Sequence, residues 1–302
     1  MWRLADEILK FEESGKILSR VREHVKGLPV GGMSVLNVCE EVERKICELG
    51  GGPAFPCNVG INEVAAHYTS PWNDKSVIPN DSVVKIDFGV EVDGCITDTS
   101  ITLSLNPAYD SLVVAVETAL EEAISAVAPG RKLSDVGGII EDAITRYGFR
   151  PIRNLTGHKI ERYTIHAGKS IPNVRGLESG RFEVGEIYAI EPFATYREAD
   201  GVVRERMPAY IFRFARMKGM KTAAARKLAA DLQTRYRSLP FASRWVLRNR
   251  GENEIMDEEF MELMESKVIA GYPVLVETSG AIVTQAEHTV LVTDDGCRVL
   301  TV

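Results

Sequence analysis

The chain repeats a helix–turn–helix unit at a fixed spacing of 98 residues, and this repeat restricts the folds that it can adopt. Residues 1–50 and 108–150 each have apolar residues at helical spacing, broken once by a glycine- and proline-containing turn. Turn and core positions coincide at this offset, pairing Gly32 with Gly130, Val38 with Val136, Val42 with Ile140, Ile46 with Ile144, Gly50 with Gly148 and Pro53 with Pro151. This agreement predicts an internal duplication, although two unrelated helix pairs could also coincide by chance.

A β-rich segment that ends in a carboxylate follows each helix pair. Residues 82–87 align with residues 186–191 at an offset of 104, and His67 corresponds to His166 at an offset of 99. Each half therefore supplies helices, a histidine and a strand that carries an acid. We expect two α/β halves related by a pseudo-twofold axis, with a site between them.

Two acidic residues are predicted to share one face of a β-hairpin over residues 83–103. The Asp93-Gly94 dipeptide is a strong signal for a two-residue turn, and a turn there places Asp87 opposite Ser100. Because side chains alternate along a strand, Asp98 falls on the same face as Asp87, as a diagonal neighbour about 7–8 Å away. Two such carboxylates can share a cation, although acids on a hairpin are also commonly just solvated.

The second half offers two matching acids. Glu191 occupies the repeat position of Asp87, and Glu287 in the segment TQAEHTVLV matches Asp98 in ITDTSITL. Four carboxylates around a pseudo-twofold axis, with histidine nearby, suit a site for two cations with mixed oxygen and nitrogen ligands.

Histidine positions support this interpretation. Four of the five histidines lie in or beside the matching segments, namely His67, His158, His166 and His288. His158 and His166 are eight residues apart, which is too far for both to bind one ion unless the chain folds back. We expect one of these two to bind metal and the other to contact substrate.

Composition and motifs exclude several other classes of protein. The 302 residues carry a net charge of −7, contain no run of 18 apolar residues and begin without the apolar core of a signal peptide. Five cysteines without a CxxC pair argue against a disulfide framework and favour a reducing cytoplasm. Nucleotide-binding glycine motifs, HExxH and GxSxG are all absent from the sequence.

Residues 205–268 have no counterpart in the first half and are predicted to form an inserted helical subdomain. The expected apolar helix face consists of Met217, Met220, Ala224, Leu228, Leu232 and Tyr236. Residues 213–250 hold eleven lysines and arginines and one aspartate, a net charge of +10 in an acidic chain. This basic segment could contact nucleic acid, or it could be an ordinary solvated helix face.

Five segments resemble methionine aminopeptidases of type II, of peptidase family M24, in their short archaeal form. They are FPCNVGINEVAAHYTS (55–70), KIDFGVEVDGCITDTS (85–100), LTGHKIERYTIHAG (155–168), AIEPFAT (189–195) and TQAEHT (284–289). The resemblance covers essentially the whole chain and implies the "pita-bread" α/β (α+β) fold, with a pseudo-twofold repeat of helices and antiparallel sheet. It implies a catalytic domain of residues 1–204 and 269–302, with repeats of about 1–105 and 106–302, and the insert at 205–268.

The resemblance also implies a set of site residues. The metal ligands would be Asp87, Asp98, His158, Glu191 and Glu287, holding two divalent ions that could be Co, Mn, Fe or Zn. Asp98 and Glu287 would bridge the two ions. The residues that contact substrate would be His67 and His166 near the scissile carbonyl, and Phe55, Ile165, Phe193 and Tyr272 around the methionine side chain. Glu191 would also transfer a proton during the reaction.

The implied activity is removal of the N-terminal methionine from nascent proteins and from peptides with a small second residue. A hydroxide between the two ions would attack the first peptide bond. We expect a cytoplasmic monomer with no membrane association and a possible ribosome contact through residues 213–250. Two alternatives are an Xaa-Pro aminopeptidase or prolidase of the same fold, and a non-catalytic relative that binds RNA or ribosomes. The presence of all five ligand positions favours an enzyme.

Overall fold

A computed structural model describes residues 2–176, 180–247 and 258–302. Its α-helices in these ranges are α1 Trp2–Lys26, α2 Val35–Glu48, α3 Asp110–Ser125, α4 Leu133–Arg146, α5 Ala223–Tyr236, α6 Ser243–Leu247 and α7 Glu258–Glu265. A short 3₁₀ helix, Pro107–Tyr109, precedes α3. No helix in the described ranges is both long enough and apolar enough to cross a membrane.

Sixteen strands in the described ranges alternate with these helices. They are β1 Gly52–Pro53, β2 Asn58–Ile61, β3 Val64–Ala66, β4 Val83–Val92, β5 Cys95–Ser104, β6 Phe149–Pro151, β7 Thr156–Ile160, β8 Ser170–Pro172, β9 Ile187–Ile190, β10 Phe193–Tyr196, β11 Val203–Phe214, β12 Phe241–Ala242, β13 Ile269–Glu277, β14 Val283–Gln285, β15 His288–Thr293 and β16 Gly296–Val299. The strand pairs are antiparallel and form the orders β1-β4-β2 with β5 on β4, β14-β10-β6, β12-β11-β13-β3 and β16-β15-β9-β7-β8.

The helix pairs α1–α2 and α3–α4 match the repeat read from the sequence. Gly50 and Gly148 follow the C-caps of α2 and α4 with φ values of 91° and 83°, a left-handed conformation that favours glycine. The two helix starts differ, because the Ser34 side chain accepts a hydrogen bond from the Asn37 N–H whereas Lys132 makes no such side-chain bond. The two helix pairs are therefore alike at the glycines that follow α2 and α4, because these positions need a left-handed backbone conformation.

The β4–β5 hairpin has the predicted register. Val92 pairs with Cys95 around the Asp93-Gly94 turn, and Asp87 pairs with Ser100. Ile86 and Phe88 on β4 are fully buried against α1 and α2 in the core of the first half. The opposite face of the hairpin, which carries Asp87, turns towards the second half.

The two halves are joined where β5 meets the segment that leads into β15. The Glu287 N–H donates to the Ser100 carbonyl at 3.2 Å, and the Thr99 hydroxyl donates to the Glu287 carbonyl at 2.7 Å. The Thr289 hydroxyl accepts from the Asp98 N–H at 2.7 Å and donates to the Asp98 carbonyl at 2.8 Å. Buried hydrogen bonds therefore fix Asp98 of one half beside Glu287 of the other.

The helix α5 differs from its sequence-based prediction. Thr222 caps it by accepting a hydrogen bond from the Ala225 N–H, so Met217 and Met220 precede the helix, and Met217 is exposed. Ala224 is also exposed, which corrects its predicted place on the apolar face. The buried residues of α5 are Ala225, Leu228, Ala229 and Leu232, so the predicted Leu228 and Leu232 are buried and Ala225 replaces Ala224. The boundaries of the insert at 205 and 268 stay a prediction.

A buried ion pair connects α6 to the first half. Arg244 pairs with Glu43 of α2 and also donates to the Thr69 hydroxyl at 2.6 Å. The Trp245 indole N–H donates to the same Glu43 carboxylate at 2.9 Å. Because Thr69 lies two residues after His67, this cluster links α6 to the segment that carries His67.

Glu277 should make stability depend on pH. Its carboxylate is 1% exposed and accepts from the Gly201 N–H, the Ala281 N–H and both the N–H and hydroxyl of Ser279, at 2.6–3.1 Å. Burial alone would raise the pKa of Glu277, but these hydrogen bonds lower it below its usual value. Such a group contributes stability above the unfolded-state pKa of about 4.3, and this stability is lost as pH falls through the folded-state pKa.

Glu277→Gln is therefore expected to lower the free energy of unfolding by roughly 1–3 kcal/mol at neutral pH. The reason is that the NH2 group of the new amide would face backbone N–H groups, which are also donors. The loss should shrink as pH falls below about 4. Urea unfolding across this pH range measures both effects, with Glu198→Gln at an exposed position as the control. A loss that is the same at acidic and neutral pH would contradict the assignment.

Candidate metal centre

All five predicted metal ligands line one cavity. Asp87 and Asp98 project from the adjacent strands β4 and β5, and His158 projects from β7. Glu191 follows β9 directly, and Glu287 lies between β14 and β15. Both repeats thus contribute acids to one site.

Three of these residues are close enough to hold one ion. Ligand atoms of Asp98, His158 and Glu287 lie within 4.8 Å of one another. The Nε2 atom of His158 is 3.8 Å from Asp98 Oδ2 and 3.4 Å from Glu191 Oε1. Because a metal ion sits about 2.0–2.2 Å from each nitrogen or oxygen ligand, this spacing fits a cation with little rearrangement.

The carboxylates are buried without compensation. Asp87 Oδ1 and Asp98 Oδ1 are buried and have no hydrogen-bond partner among the described residues. Burial raises the pKa of Asp87 to about 7. Burial and the neighbouring acids raise the pKa values of Asp98, Glu191 and Glu287 well above their usual range. A divalent cation would supply the missing positive charge, so these donors fit a metal.

The pKa of His158 is shifted in the opposite direction, and this shift also favours metal binding. Burial lowers the pKa of His158 to about 3, so its imidazole is neutral at physiological pH. A neutral imidazole keeps a lone pair for a metal ion, and the Nε2 atom of His158 faces the carboxylates.

Gln285 belongs to the site although sequence analysis did not single it out. Its Nε2 atom is 3.3 Å from Glu191 Oε2 and 3.4 Å from Glu287 Oε2, so one amide contacts two acids. Its place two residues before Glu287 was the available signal. The signal was weak, because period-two alternation by itself does not distinguish a site residue from a packed one.

The predicted substrate-contacting residues line the same cavity, which has a volume of about 220 Å³. They are Phe55, His67, Ile165, His166, Phe193 and Tyr272. Sequence analysis missed five further apolar residues of its wall, Ala66, Leu155, Ile211, Pro240 and Leu275. His288 does not line the cavity, and its Nδ1 atom lies 2.7 Å from the Thr301 hydroxyl.

The chain between His158 and His166 folds back on itself. The Ala167 N–H donates to the Lys159 carbonyl at 2.8 Å, and the two imidazole rings meet edge to face at 4.4 Å. Burial lowers the pKa of His166 as well, so a neutral imidazole lies beside the candidate metal ligands.

His67 is held in one orientation in the cavity wall. Its Nδ1 atom lies 3.3 Å from the Pro273 carbonyl, and its ring meets the Tyr272 ring edge to face at 5.5 Å. Burial lowers the pKa of His67 to about 4. Because a carbonyl only accepts, Nδ1 carries the proton in the neutral ring, and Nε2 is left as an acceptor.

Comparison with known proteins agrees with a metal-dependent peptidase site. A family model described as "Metallopeptidase family M24" matches residues 10–294. The chain is 44% identical to a methionine aminopeptidase of Methanocaldococcus jannaschii, over 97% of this chain and 97% of that protein. It is 42% identical to a methionine aminopeptidase of Methanothermobacter thermautotrophicus, over 97% and 98% of the two chains.

The fold is shared more widely. The solved structure of a thermophilic Arx1 superposes with a TM-score of 0.81 at 20% identity, covering 98% of this chain and 90% of that one. At that identity the superposition concerns the fold alone.

Metal binding should stabilise this protein through the buried acids. We expect saturating Mn²⁺, at about 100 times its dissociation constant, to add about 2.7 kcal/mol and raise the melting temperature by roughly 5 °C. Asp98→Asn should abolish most of this shift and leave the metal-free protein at least as stable, because it removes one of four mutually repelling carboxylates. Thermal melts with and without EDTA measure both effects.

Asp231→Asn, on the exposed face of α5, is the matched control and should keep the full shift. An equal metal-induced shift in Asp98→Asn and the unchanged protein would contradict metal binding by Asp98.

Proposed function

The chain belongs to metallopeptidase family M24, and we propose that it is a methionyl aminopeptidase that acts on nascent proteins and peptides with a small second residue. The observation that carries this proposal is the meeting of five metal-ligand side chains with an apolar wall in one cavity. Close relatives that are named methionine aminopeptidases over nearly their full length support it.

We propose that the site holds two divalent ions, with Co, Mn, Fe and Zn as candidates. Asp98 and Glu287 would be shared between them, Asp87 would complete one site, and His158 and Glu191 would complete the other. When bound, the ions supply a water of lowered pKa and an electrophile for the scissile carbonyl. The proposal is supported by buried carboxylate oxygens on both Asp87 and Asp98 that have no hydrogen-bond partner among the described residues.

Proton transfer and the binding of the substrate backbone would be carried out by Glu191 and by side chains beside the acids. Glu191 is placed to take the proton of the attacking water and to pass it to the leaving amine, since its Oε1 atom faces the cavity beside His158. Nε2 of His67 is an acceptor and suits an N–H of the substrate backbone. The neutral imidazole of His166 can donate to the oxygen of the scissile carbonyl as negative charge develops there.

Selectivity for methionine follows from the wall of the cavity. Phe55, Ile165, Phe193 and Tyr272 provide an apolar lining for an unbranched thioether side chain, which has no hydrogen bonds to satisfy.

Methionine release from Met-Gly-Met-Met tests the activity. After chelation, addition of Mn, Fe, Co or Zn should restore release, and the order of activity ranks the metals. A parallel series of Xaa-Pro peptides tests the alternative activity of a prolidase or Xaa-Pro aminopeptidase. Cleavage only before proline would overturn the proposal, and no release with any metal in folded protein would favour a non-catalytic binding protein.

In the same assay, Glu287→Gln and Asp98→Asn should each lower kcat at least 100-fold, because each would disturb both ions. Asp231→Asn should retain full activity. Near-normal turnover by either site variant with saturating metal would contradict the two-ion arrangement.

We also propose a ribosome contact through the exposed basic residues of 213–250. Arg226 and Lys227 on α5 are exposed, as are Arg235 and Arg237 at its end. Arg244 is buried against Glu43 and therefore cannot belong to this surface, while Arg248 and Arg250 lie outside the described residues. The structure thus reduces the predicted basic segment to α5 and its flanks.

Reversing the charge of Arg226, Lys227, Arg235 and Arg237 should weaken co-sedimentation with ribosomes, because contact with RNA phosphates depends on positive charge. Reversal at the exposed Lys16, Arg20, Lys75 and Arg131 makes the same change in net charge and is the control. Equal co-sedimentation of both variants would remove this proposal.

We propose further that the enzyme works as a cytoplasmic monomer. The five cysteines are free thiols, namely Cys39, Cys47, Cys57, Cys95 and Cys297. Free thiols are the usual state in a reducing compartment.

A further inference from the structure

One end of the cavity combines the proposed metal ligand Asp87 with a hydrogen-bond acceptor, Asn58, to which the metal assignment gives no partner. Asn58 on β2 pairs directly with Asp87 on β4, so the two side chains lie on the same face of the sheet. Both residues line the cavity, and Asn58 is 5% exposed. The carboxylate of Asp87 and the carboxamide of Asn58 are therefore neighbours at this end.

The carboxamide of Asn58 has a fixed orientation. Its Nδ2 atom donates to the Pro56 carbonyl at 2.9 Å, which leaves Oδ1 as the free end. Oδ1 is buried and has no hydrogen-bond partner in the described parts of the chain. A buried acceptor without a donor costs about 1–3 kcal/mol, so its presence in a binding cavity needs an explanation.

The other asparagine in the cavity wall provides a contrast. Asn154 donates through Nδ2 to the Val203 carbonyl at 2.8 Å and accepts through Oδ1 from the Val203 N–H at 2.9 Å. Both ends of its amide are satisfied by backbone, as is usual for a structural asparagine. Asn58 uses only its donor in this way.

Nearby cations do not satisfy this pair of acceptors. Lys85 lies on the same face of β4, two residues before Asp87, but its ammonium group donates to the carbonyls of Asn62 at 2.8 Å and Val283 at 2.6 Å. Asp87 Oδ1, like Asn58 Oδ1, has no partner among the residues described. Asn58 Oδ1 is therefore available to a donor on a bound ligand.

The position of this end relative to the rest of the cavity identifies the part of the ligand. His158 approaches Asp98 and Glu191 and meets His166 edge to face, whereas Asn58 pairs with Asp87, so these two histidines lie beside other acids than the one next to Asn58. Phe55 packs directly over Gly89, where a Cβ atom would lie 2.5 Å from the ring, so the apolar wall begins beside Asp87. A group at Asn58 is thus adjacent both to the side-chain pocket and to the acids, as an α-amine is.

We propose that Oδ1 of Asn58 accepts a hydrogen bond from the α-amine of the substrate and so helps the enzyme to distinguish a free N-terminus from a blocked one. This inference rests on the proposed aminopeptidase function. Asn58 is then a specificity-determining residue for the amine.

Paired ligands test this role by binding. Calorimetry with the manganese-loaded protein compares methioninamide with its des-amino analogue, which keeps the thioether and the carboxamide. Asn58→Leu keeps the size of the side chain but removes the acceptor, so methioninamide should bind about 10-fold more weakly. Binding of the des-amino analogue should change less than about twofold.

Two further variants keep the experiment decisive. Asn58→Ala should give the same selective loss if the leucine variant fails to fold. Thr234→Val removes one hydroxyl from the exposed surface of α5, outside the cavity, and should leave the ratio of the two affinities unchanged.

Each other outcome overturns the inference. Equal loss for both ligands, or no loss for either, would show that Asn58 does not recognise the amine. Loss of manganese from Asn58→Leu, measured by elemental analysis, would make Asn58 a metal ligand instead. If the unchanged protein neither releases methionine nor binds methioninamide, the proposed function is overturned as well. If the unchanged protein releases methionine but Asn58→Leu shows no selective loss of methioninamide binding, this inference alone is overturned.

Discussion

Repulsion among four buried carboxylates is the constraint that the rest of this structure has to satisfy. Asp87, Asp98, Glu191 and Glu287 lie in one cavity, where burial raises the pKa values of all four, and repulsion from neighbouring acids adds to the rise for Asp98, Glu191 and Glu287. Charges of one sign in a region of low dielectric separate or become protonated unless a cation compensates them. A site of this kind therefore needs a scaffold that holds the acids in place before metal arrives.

The two halves provide that scaffold together. The first half alone would provide only a pair of carboxylates, Asp87 and Asp98. The contact of β5 with the segment before β15 brings the acids of the second half into reach of this pair. The hydroxyls of Thr99 and Thr289 fix this contact without adding a charge. Gln285 contributes in the same way, because its neutral amide donates towards both Glu191 and Glu287. Neutral donors orient the acids and leave their charge available to a cation.

The acids could be predicted from sequence because their placement depends on local rules. The Asp93-Gly94 turn fixes the register of the hairpin, and alternation then assigns Asp87 and Asp98 to one face. Gln285 and Asn58 obey the same rules, but nothing local shows that their side chains meet acids from another strand. The predicted extent of α5 was wrong at its N-terminal end. Apolar residues at helical spacing include Met217 and Met220, but the cap at Thr222 determines where the helix begins.

The substrate side of the cavity depends partly on the predicted insert. His67 has a φ of 64°, a value that residues other than glycine rarely adopt. Among the described non-glycine residues with a positive φ, His67 is the one that lines the cavity. Such a conformation persists only when surrounding contacts determine it, and here the Pro273 carbonyl fixes the ring while Arg244 holds Thr69. Of these two supports, Arg244 lies in the predicted insert, which has no counterpart in the first half. The two halves thus supply the acids and the strained histidine, while the predicted insert adds Arg244 behind that histidine and Ile211 and Pro240 to the cavity wall.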